Sequence, residues 1–229
     1  MRRKTNNPKN PRRHLGVHRN SLRVNSRLFS QKLRRRLKKE EATHRAEAEI
    51  MDQTSTKNKQ GWVRFGSPLS VVETNLHFGI RDFTRLKIRQ LKGRRKYCVM
   101  ELGCGPGDSL AELKTEFGVN VRTIGLVLKK TSGIKYNGVD KLLEEDIHRL
   151  KLKESPDFIY THFGSLDKTA LKRDALEKVI HWLRPGGTAV LHFGETTPEA
   201  MKEIKSTLVM YGITWHMPRF SDVIIFTKH

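Results

Sequence analysis

The segment from Glu101 to Asp108 constrains the fold of this chain more than any other. Its sequence, ELGCGPGD, follows an apolar run at 97–102 and precedes a segment with helical periodicity at 108–117. Closely spaced glycines let a backbone turn tightly and approach a ligand, and a helix that begins there presents unpaired N–H groups. The spacing GxGxG differs from the GxGxxG of dinucleotide sites, and no Walker-type GK[ST] follows it. The alternative interpretation is a strand–helix turn without a ligand.

Strands and helices alternate from residue 96 onwards, which predicts an α/β domain with a largely parallel sheet. The predicted strands are 97–102, 121–128, 157–161, 188–193, 213–216 and 223–226. The predicted helices are 108–117, 168–183 and a third from Pro198 to Gly212, for which Thr197 is the expected N-cap.

Three segments resemble class I S-adenosylmethionine (SAM) dependent methyltransferases. VMELGCGPG resembles motif I, DFIYTHFGSLD resembles the fourth strand and active-site loop, and WLRPGGTAVLHF resembles the fifth strand with its preceding turn. The resemblance covers roughly residues 75–229. It implies a Rossmann-like, seven-stranded, mostly parallel sheet flanked by helices, with ITWHM and DVIIFTK at its antiparallel end. It also implies SAM as cofactor, and no metal site is expected.

The resemblance carries the cofactor-binding positions over residue by residue. In the family the motif I glycines pass beneath the cofactor, and the acid before them, here Glu101, helps to position its methionine end. Asp146 falls where the family has an acid near the adenine. Val127 stands where the family has an acid that binds the ribose hydroxyls. Loss of these charge-assisted hydrogen bonds lowers the binding free energy of the cofactor by about 1.5–3 kcal/mol. The expected cofactor positions are Glu101, Gly103, Cys104, Gly105, Gly107, Val127, Asp146 and Thr161.

The candidate catalytic residues are His162 and Phe163, which follow the fourth strand. They stand where family members that methylate adenine or cytosine amino groups carry [ND]PP[YF]. Phe163 can stack on a base, and His162 can act as a base or a hydrogen-bond donor, with simple packing as the alternative for both. Cytosine C5 methylation is excluded, because Cys98 lies in the first strand and Cys104 beneath the cofactor.

The net charge of +21 is concentrated in the N-terminal part of the chain. Residues 1–60 carry +13, residues 61–96 carry +7 and residues 97–229 carry +1. This asymmetry indicates a polyanionic partner, nucleic acid before membrane. We therefore divide the chain into a basic RNA-binding arm (1–60, with a helix at about 30–50), a basic helical lead-in (61–95) and the methyltransferase domain (96–229).

A predicted helix at 80–92 places Arg81, Arg85, Arg89 and Lys92 within an arc of about 80°. We expect this face, which shows no interleaved acids, to contact phosphates; a solvated helix face is the alternative. The cations expected to bind RNA are Arg34, Arg35, Arg36, Lys38 and Lys39 in the arm, and Arg81, Arg85, Arg89, Lys92, Arg94 and Arg95 in the lead-in.

Two functions fit these features. The first is a SAM-dependent methyltransferase acting on structured RNA, with ribosomal RNA as the first candidate. The second, favoured by Val127, is a catalytically inactive methyltransferase-fold factor for ribosome assembly or association. A methyltransferase of proteins or small molecules leaves the basic arm without a role. We expect a cytoplasmic, ribosome-associated protein without membrane contact; the mitochondrial matrix is the alternative, because the arm is rich in Arg and poor in acids.

Deletion of residues 1–60 is predicted to weaken RNA binding strongly and to flatten its dependence on salt, because the released counterions scale with the number of phosphate contacts. Fluorescence anisotropy with a labelled hairpin RNA over a salt series measures both quantities. An unchanged slope of log affinity against log salt would contradict the role assigned to the arm.

Overall fold

The computed structural model describes residues 67–130, 132–162, 166, 172–194, 196–218 and 222–229. Helices in these ranges are α1 Leu69–Leu76, α2 Ile80–Leu91, α3 Asp108–Phe117, α4 Lys172–Trp182 and α5 Pro198–Met210. The strands are β1 Tyr97–Leu102, β2 Val121–Val127, β3 Lys141–Glu144, β4 Phe158–Thr161, β5 Thr188–His192, β6 Trp215–His216 and β7 Val223–Thr227. No helix within these ranges combines the length and hydropathy needed to cross a bilayer.

The strands form one seven-stranded sheet in the order β3-β2-β1-β4-β5-β7-β6. Strands β1 to β5 are mutually parallel, β7 is antiparallel to β5, and β6 is antiparallel to β7. Every residue of the central strand β1 is buried, as expected for a strand covered on both faces. The predicted Rossmann-like α/β class with a mostly parallel, seven-stranded sheet is therefore confirmed.

Helices cover both faces of the sheet. On one face, α4 and α5 pack against alternate residues of the central strands, among them Met100 and Ile159. On the other face, α1, α2 and α3 pack against the residues between them, among them Val99 and Phe158. Helices α1 and α2 thus share one core with β1. The charge distribution had nevertheless led us to divide their segment, residues 61–95, from the methyltransferase domain.

Helix α2 is held on the sheet by aromatic rings and by a stripe of core-facing residues. Phe83 lies 5.4 Å from the ring of Phe158, centroid to centroid. Ile88 packs on the core, whereas Leu86 is 52% exposed. The reason is that the core-facing residues follow Ile80 at intervals of three and four, a stripe that passes through 88 and not 86.

The loop before β4 is fixed by a buried carboxylate, Asp157. Its two oxygens accept hydrogen bonds from Nη1 and Nη2 of Arg95, both at 2.5 Å, and one also accepts from the backbone N–H of Cys98 at 2.9 Å. Arg184 Nε lies 3.4 Å from the other oxygen. These contacts join the amino ends of β1 and β4 at the edge of the sheet where the parallel strands begin, which we call the amino edge.

Replacement Asp157→Ala is predicted to lower the free energy of unfolding by about 2–4 kcal/mol, because it leaves two guanidinium groups and one backbone N–H without their acceptor. Urea denaturation measures the change. The matched control is Asp82→Ala, which removes a carboxylate that is 84% exposed and paired with Arg85; it is expected to change stability by less than about 1 kcal/mol. Equal losses in the two variants would contradict the assignment.

Candidate functional site

The glycine-rich turn lies at the carboxyl edge of the sheet, where the parallel strands end. Gly103 and Cys104 both donate their backbone N–H groups to the carbonyl of Leu126 in β2, at 2.8 and 3.1 Å. The backbone φ angles of Gly103, Gly105 and Gly107 are 75°, 50° and 87°. In open parallel sheets, ligands bind outside the carboxyl ends of the strands, in the crevice where the chain connections diverge. The turn occupies such a position between β1 and α3.

Gly107 cannot be replaced by a larger residue without a shift of its surroundings. A Cβ atom there would lie 2.7 Å from Cγ2 of Val139, and the positive φ strains any other residue. Helix α3 begins at the next residue, and no side chain accepts a hydrogen bond from its first N–H groups. The turn therefore presents bare backbone and the positive end of a helix dipole to the crevice.

Cys104 packs beneath the turn. A Cβ atom built on Gly125 of β2 would lie 2.5 Å from Sγ of Cys104, so the thiol rests on a strand segment that only glycine leaves open. Cys104 is 5% exposed, and burial raises its pKa. The thiol is thus a packing group under the site rather than a reactive one.

Glu101 is a buried carboxyl group directly beneath the turn. It lies beside Tyr160 in the register of β1 and β4, and Ser109 Oγ donates to its Oε2 at 2.6 Å. Ser109 Oγ also lies 2.9 Å from the hydroxyl of Tyr160. Burial raises the pKa of Glu101 to about 8, against the opposing effect of hydrogen bonds from Ser109 and Tyr160. The carboxyl group is consequently mostly neutral at pH 7 and gains its charge when a cation approaches it.

The end of β2 has no carboxylate of its own, as the sequence predicts. Val127 is 7% exposed and packs in the core. Its register partner on β3 is Glu144, whose Oε1 accepts from the backbone N–H of Lys130 at 3.2 Å. Because Lys130 belongs to the loop that follows β2, the Glu144 carboxylate reaches across to the end of β2.

Asp146 fixes the turn that follows β3. Its Oδ1 accepts from the backbone N–H of His148 at 2.7 Å, and its carbonyl accepts from the N–H groups of Arg149 and Leu150. The side chain is largely buried at the carboxyl edge. This predicted cofactor position therefore lies at the expected edge and also holds a turn.

Two of the predicted residues lie at the end of β4. Thr161 is fully buried, and its hydroxyl has no hydrogen-bond partner among the described residues. His162 is 7% exposed, and its Nε2 lies 2.7 Å from Nδ2 of Asn75 in α1. An amide Nδ2 can only donate, so Nε2 accepts and the ring proton is placed on Nδ1. Phe163 lies outside the described residues.

The sequence analysis missed the residues that tie this edge together. Lys172 is one of them: its Nζ donates to the carbonyl oxygens of Leu166 at 2.7 Å and Phe193 at 3.0 Å, joining the segments that follow β4 and β5. A lysine near the start of an amphipathic helix carries no signal for such a role. Asn75, Ser109 and Tyr160 were missed for the same reason, because their roles depend on strand register and helix packing.

The expectation that the cationic face of α2 is free of acids is wrong. Helix α3 brings two carboxylates against it: Arg81 Nη2 lies 3.0 Å from Glu112, and Arg85 pairs with Glu116. Arg81 Nε is also 3.0 Å from Glu116, although the angles are those of an ion pair and not of a hydrogen bond. Glu112 and Glu116 follow Arg81 and Arg85 by 31 residues, so the pattern of α2 could not reveal them. Asp82, which also pairs with Arg85, lies within α2 itself.

The other predicted RNA-binding cations divide into three groups. Arg95 is engaged by Asp157, as described above. Arg89, Lys92 and Arg94 are exposed and form no ion pair with a described residue. Arg34, Arg35, Arg36, Lys38 and Lys39 lie outside the described residues.

No protein-family model matches the sequence, and no curated protein matches it. Among solved structures, the sugar N-methyltransferase KedS8 from a Streptoalloteichus species is similar over 65% of this chain and 86% of its own, with 12% identity and a TM-score of 0.48. The amino pentose methyltransferase CalS10 from Micromonospora echinaspora, solved with SAM bound, is similar over 70% and 96%, with 13% identity and a TM-score of 0.45. A TehB-like SAM-dependent methyltransferase from Corynebacterium glutamicum is similar over 69% and 92%, with 15% identity and a TM-score of 0.46.

Similarities this distant carry no argument about the activity, so the fold is assigned on the chain's own features. The glycine-rich turn follows the central strand, and β7 runs antiparallel between β5 and β6. This is the arrangement that the sequence resemblance implied. The chain has the Rossmann-like fold of the class I SAM-dependent methyltransferases.

Proposed function

We propose that this protein is a SAM-dependent methyltransferase that acts on structured RNA, with ribosomal RNA as the first candidate. One observation carries the cofactor part of the proposal: a turn of three positive-φ glycines passes over a buried carboxyl group at the carboxyl edge. The bare turn and the uncapped start of α3 suit a ligand that approaches the backbone closely.

The residues at this edge fit the cofactor. Glu101 provides a carboxyl group that a cationic methionine end would ionise, and the Thr161 hydroxyl is a buried polar group whose hydrogen bonds are unused within the described residues. Val127 cannot bind the ribose hydroxyls, but the exposed carboxylate of Glu144 stands at the neighbouring strand end. An acceptor for the ribose is thus within the same edge, one strand away.

SAM supplies a methyl group that its sulfonium charge already activates. The protein's contribution is alignment of the acceptor with that methyl group and exclusion of water. His162 stands at the end of β4 in a fixed orientation, because its Nε2 accepts from Asn75. Since that nitrogen is occupied, we assign His162 to positioning the acceptor and not to proton removal through Nε2.

RNA is proposed as the substrate on the strength of the charge distribution. The first 96 residues hold 27 of the 45 Lys and Arg residues and 7 of the 24 acidic ones. Such a polycationic segment favours a phosphate backbone. Two of the solved structures named above are a sugar N-methyltransferase and an amino pentose methyltransferase, and those substrates belong to those proteins. We propose a cytoplasmic, ribosome-associated location. The mitochondrial matrix is the second candidate compartment.

A second candidate function is a ribosome-associated factor that uses the fold without catalysis. Val127 favours it, because the position that should bind the ribose carries an apolar side chain. In this case the protein would bind RNA but neither SAM nor its demethylated product, S-adenosylhomocysteine.

Calorimetric titration with SAM and S-adenosylhomocysteine separates the two candidates. Micromolar binding is expected for the methyltransferase, whereas a folded protein that binds neither ligand at millimolar concentration, with or without hairpin RNA, would contradict it. Gly105→Asp is expected to abolish cofactor binding and to spare RNA binding, because the side chain fills the space above the turn. The matched control is Gly186→Asp, which meets a similar positive φ of 77° in a turn at the amino edge with no atom near its Cβ.

The affinity for SAM is predicted to rise with pH below about pH 8. The free protein holds Glu101 mostly neutral because burial raises its pKa to about 8, whereas a cationic amino group binds the carboxylate form. Below this pKa the ionised fraction grows about tenfold per pH unit, and the affinity should rise by up to that factor. Calorimetry between about pH 6 and 7.5, where the ligand's amino group stays mainly protonated, measures the slope.

Glu101→Gln should remove this rise, because an amide does not titrate. The matched control is Asp108→Asn, which neutralises an exposed acid next to the same turn and should keep the rise. Parallel pH profiles for the wild type and Glu101→Gln would show that Glu101 does not face the cofactor's charge.

A further inference from the structure

A group of cations lies at the amino edge of the sheet, whereas the glycine-rich turn lies at the carboxyl edge. Helix α2 ends at Leu91, and the chain then enters β1 at Tyr97 after five residues. The six residues of β1 at about 3.3 Å each separate this segment from the turn by about 20 Å. Whatever binds to the segment therefore contacts a different part of the domain from the cofactor site.

Four exposed cations occupy this segment and the last turn of α2: Arg89, Lys92, Arg94 and Lys96. We call them the amino-edge basic surface. None of the four forms an ion pair with a described carboxylate, in contrast to Arg81, Arg85 and Arg95. Like charges this close in sequence repel one another, so an anionic ligand at this surface is favoured.

The backbone that carries these cations is held in place. Lys92 and Gly93 both have left-handed φ angles, 50° and 73°. The backbone N–H of Lys92 donates to Arg89 O at 3.2 Å, and that of Arg94 donates to Leu91 O at 3.0 Å. The turn is further anchored by the two hydrogen bonds that Arg95 donates to the Asp157 carboxylate. Adjacent cations on a fixed turn bind phosphates with less loss of entropy than cations on a flexible chain.

We propose that the amino-edge basic surface docks the phosphates of a structured RNA on the side of the domain opposite the cofactor site. The proposal takes the RNA partner from the proposed function, but it does not depend on SAM binding or on catalysis. It implies that RNA binding and cofactor binding are independent at this surface. It also implies that an RNA which reaches both edges extends over about 20 Å or more of the domain.

An anionic membrane surface is the other polyanion that such cations could meet. Helices that bind membranes insert an apolar face beside their cations. The apolar face of α2 instead packs on the sheet, where Ile80 is fully buried and the ring of Phe83 contacts that of Phe158. The apolar side chain left exposed on α2 is Leu86. The observations therefore favour RNA.

The test compares two triple variants of the full-length protein that lose the same charge. One variant carries the substitutions Arg89→Gln, Lys92→Asn and Arg94→Gln. Asparagine is chosen because it tolerates the left-handed φ at position 92. The control replaces three exposed lysines outside this surface, with the substitutions Lys135→Gln, Lys151→Gln and Lys202→Gln. Anisotropy of a labelled hairpin RNA is measured over a salt series, with and without S-adenosylhomocysteine, and thermal unfolding confirms that both variants are folded.

The amino-edge variant is expected to bind RNA more weakly and to lose about 2–3 units of the slope of log affinity against log salt. The ratio of wild-type to variant RNA affinity should then fall roughly 15- to 60-fold between about 50 and 200 mM salt. The control should retain nearly the wild-type slope, and the ligand should change neither result. Equal losses in both variants would overturn the proposal, since net charge alone would explain them.

A second measurement separates RNA from lipid. Vesicles of phosphatidylcholine with phosphatidylserine are offered to the wild type and to the amino-edge variant. Binding that is lost only on the vesicles, with RNA affinity unchanged, would overturn the proposal in favour of a membrane surface. If SAM binding fails while the RNA result holds, the enzymatic function is lost but this surface remains assigned.

Discussion

The two hydrogen bonds that Leu126 accepts hold the site together. A single carbonyl of β2 receives the N–H groups of Gly103 and Cys104, so the end of the central strand is bound to its neighbour where the chain reverses into α3. The turn can make this approach because Gly125 leaves room for the Cys104 thiol and Gly107 avoids Val139. The start of α3 then fixes Ser109, which in turn donates to Glu101. Backbone geometry, packing and the buried carboxyl group are thus consequences of one local constraint.

The sequence predicted the elements that local patterns determine. The apolar runs of β1, β2 and β5 and the capping of α5 by Thr197 follow from residues close in the chain, and the structure contains them, with Thr197 accepting from the backbone N–H of Ala200. Strand β3 and helix α1 were not predicted. Strand β3 is short and half exposed at the edge of the sheet, and α1 contains adjacent valines, which lower helix propensity. Local signals are weakest in both elements.

The site was predictable only where one motif contains its parts. The positions of the glycines and Glu101 come from a single segment, whereas the partners of Glu101 and His162 come from two helices and a strand that the fold brings together. Tyr160 lies beside Glu101 through the register of β1 with β4, Ser109 donates to Glu101 from α3, and Asn75 reaches His162 from a helix 87 residues earlier. The expectation of an acid-free face on α2 was wrong for the same reason, since Glu112 and Glu116 pair with Arg81 and Arg85 from α3. Long-range pairing is not encoded in the period of one helix.

Glu101 bears on the choice between an enzyme and a scaffold. Burial of an ionisable carboxyl group opposes folding whenever the pH favours its charged form, and its pKa of about 8 records that penalty. A protein that used the fold only as a platform would be at least as stable with an apolar residue at this position in β1. Thr161 presents the same argument, because a fully buried hydroxyl without a described partner also opposes folding. Both groups lie at the carboxyl edge, and both gain their missing interactions if a polar, positively charged ligand occupies the crevice. The physical balance at this edge therefore favours a protein that binds a cofactor there.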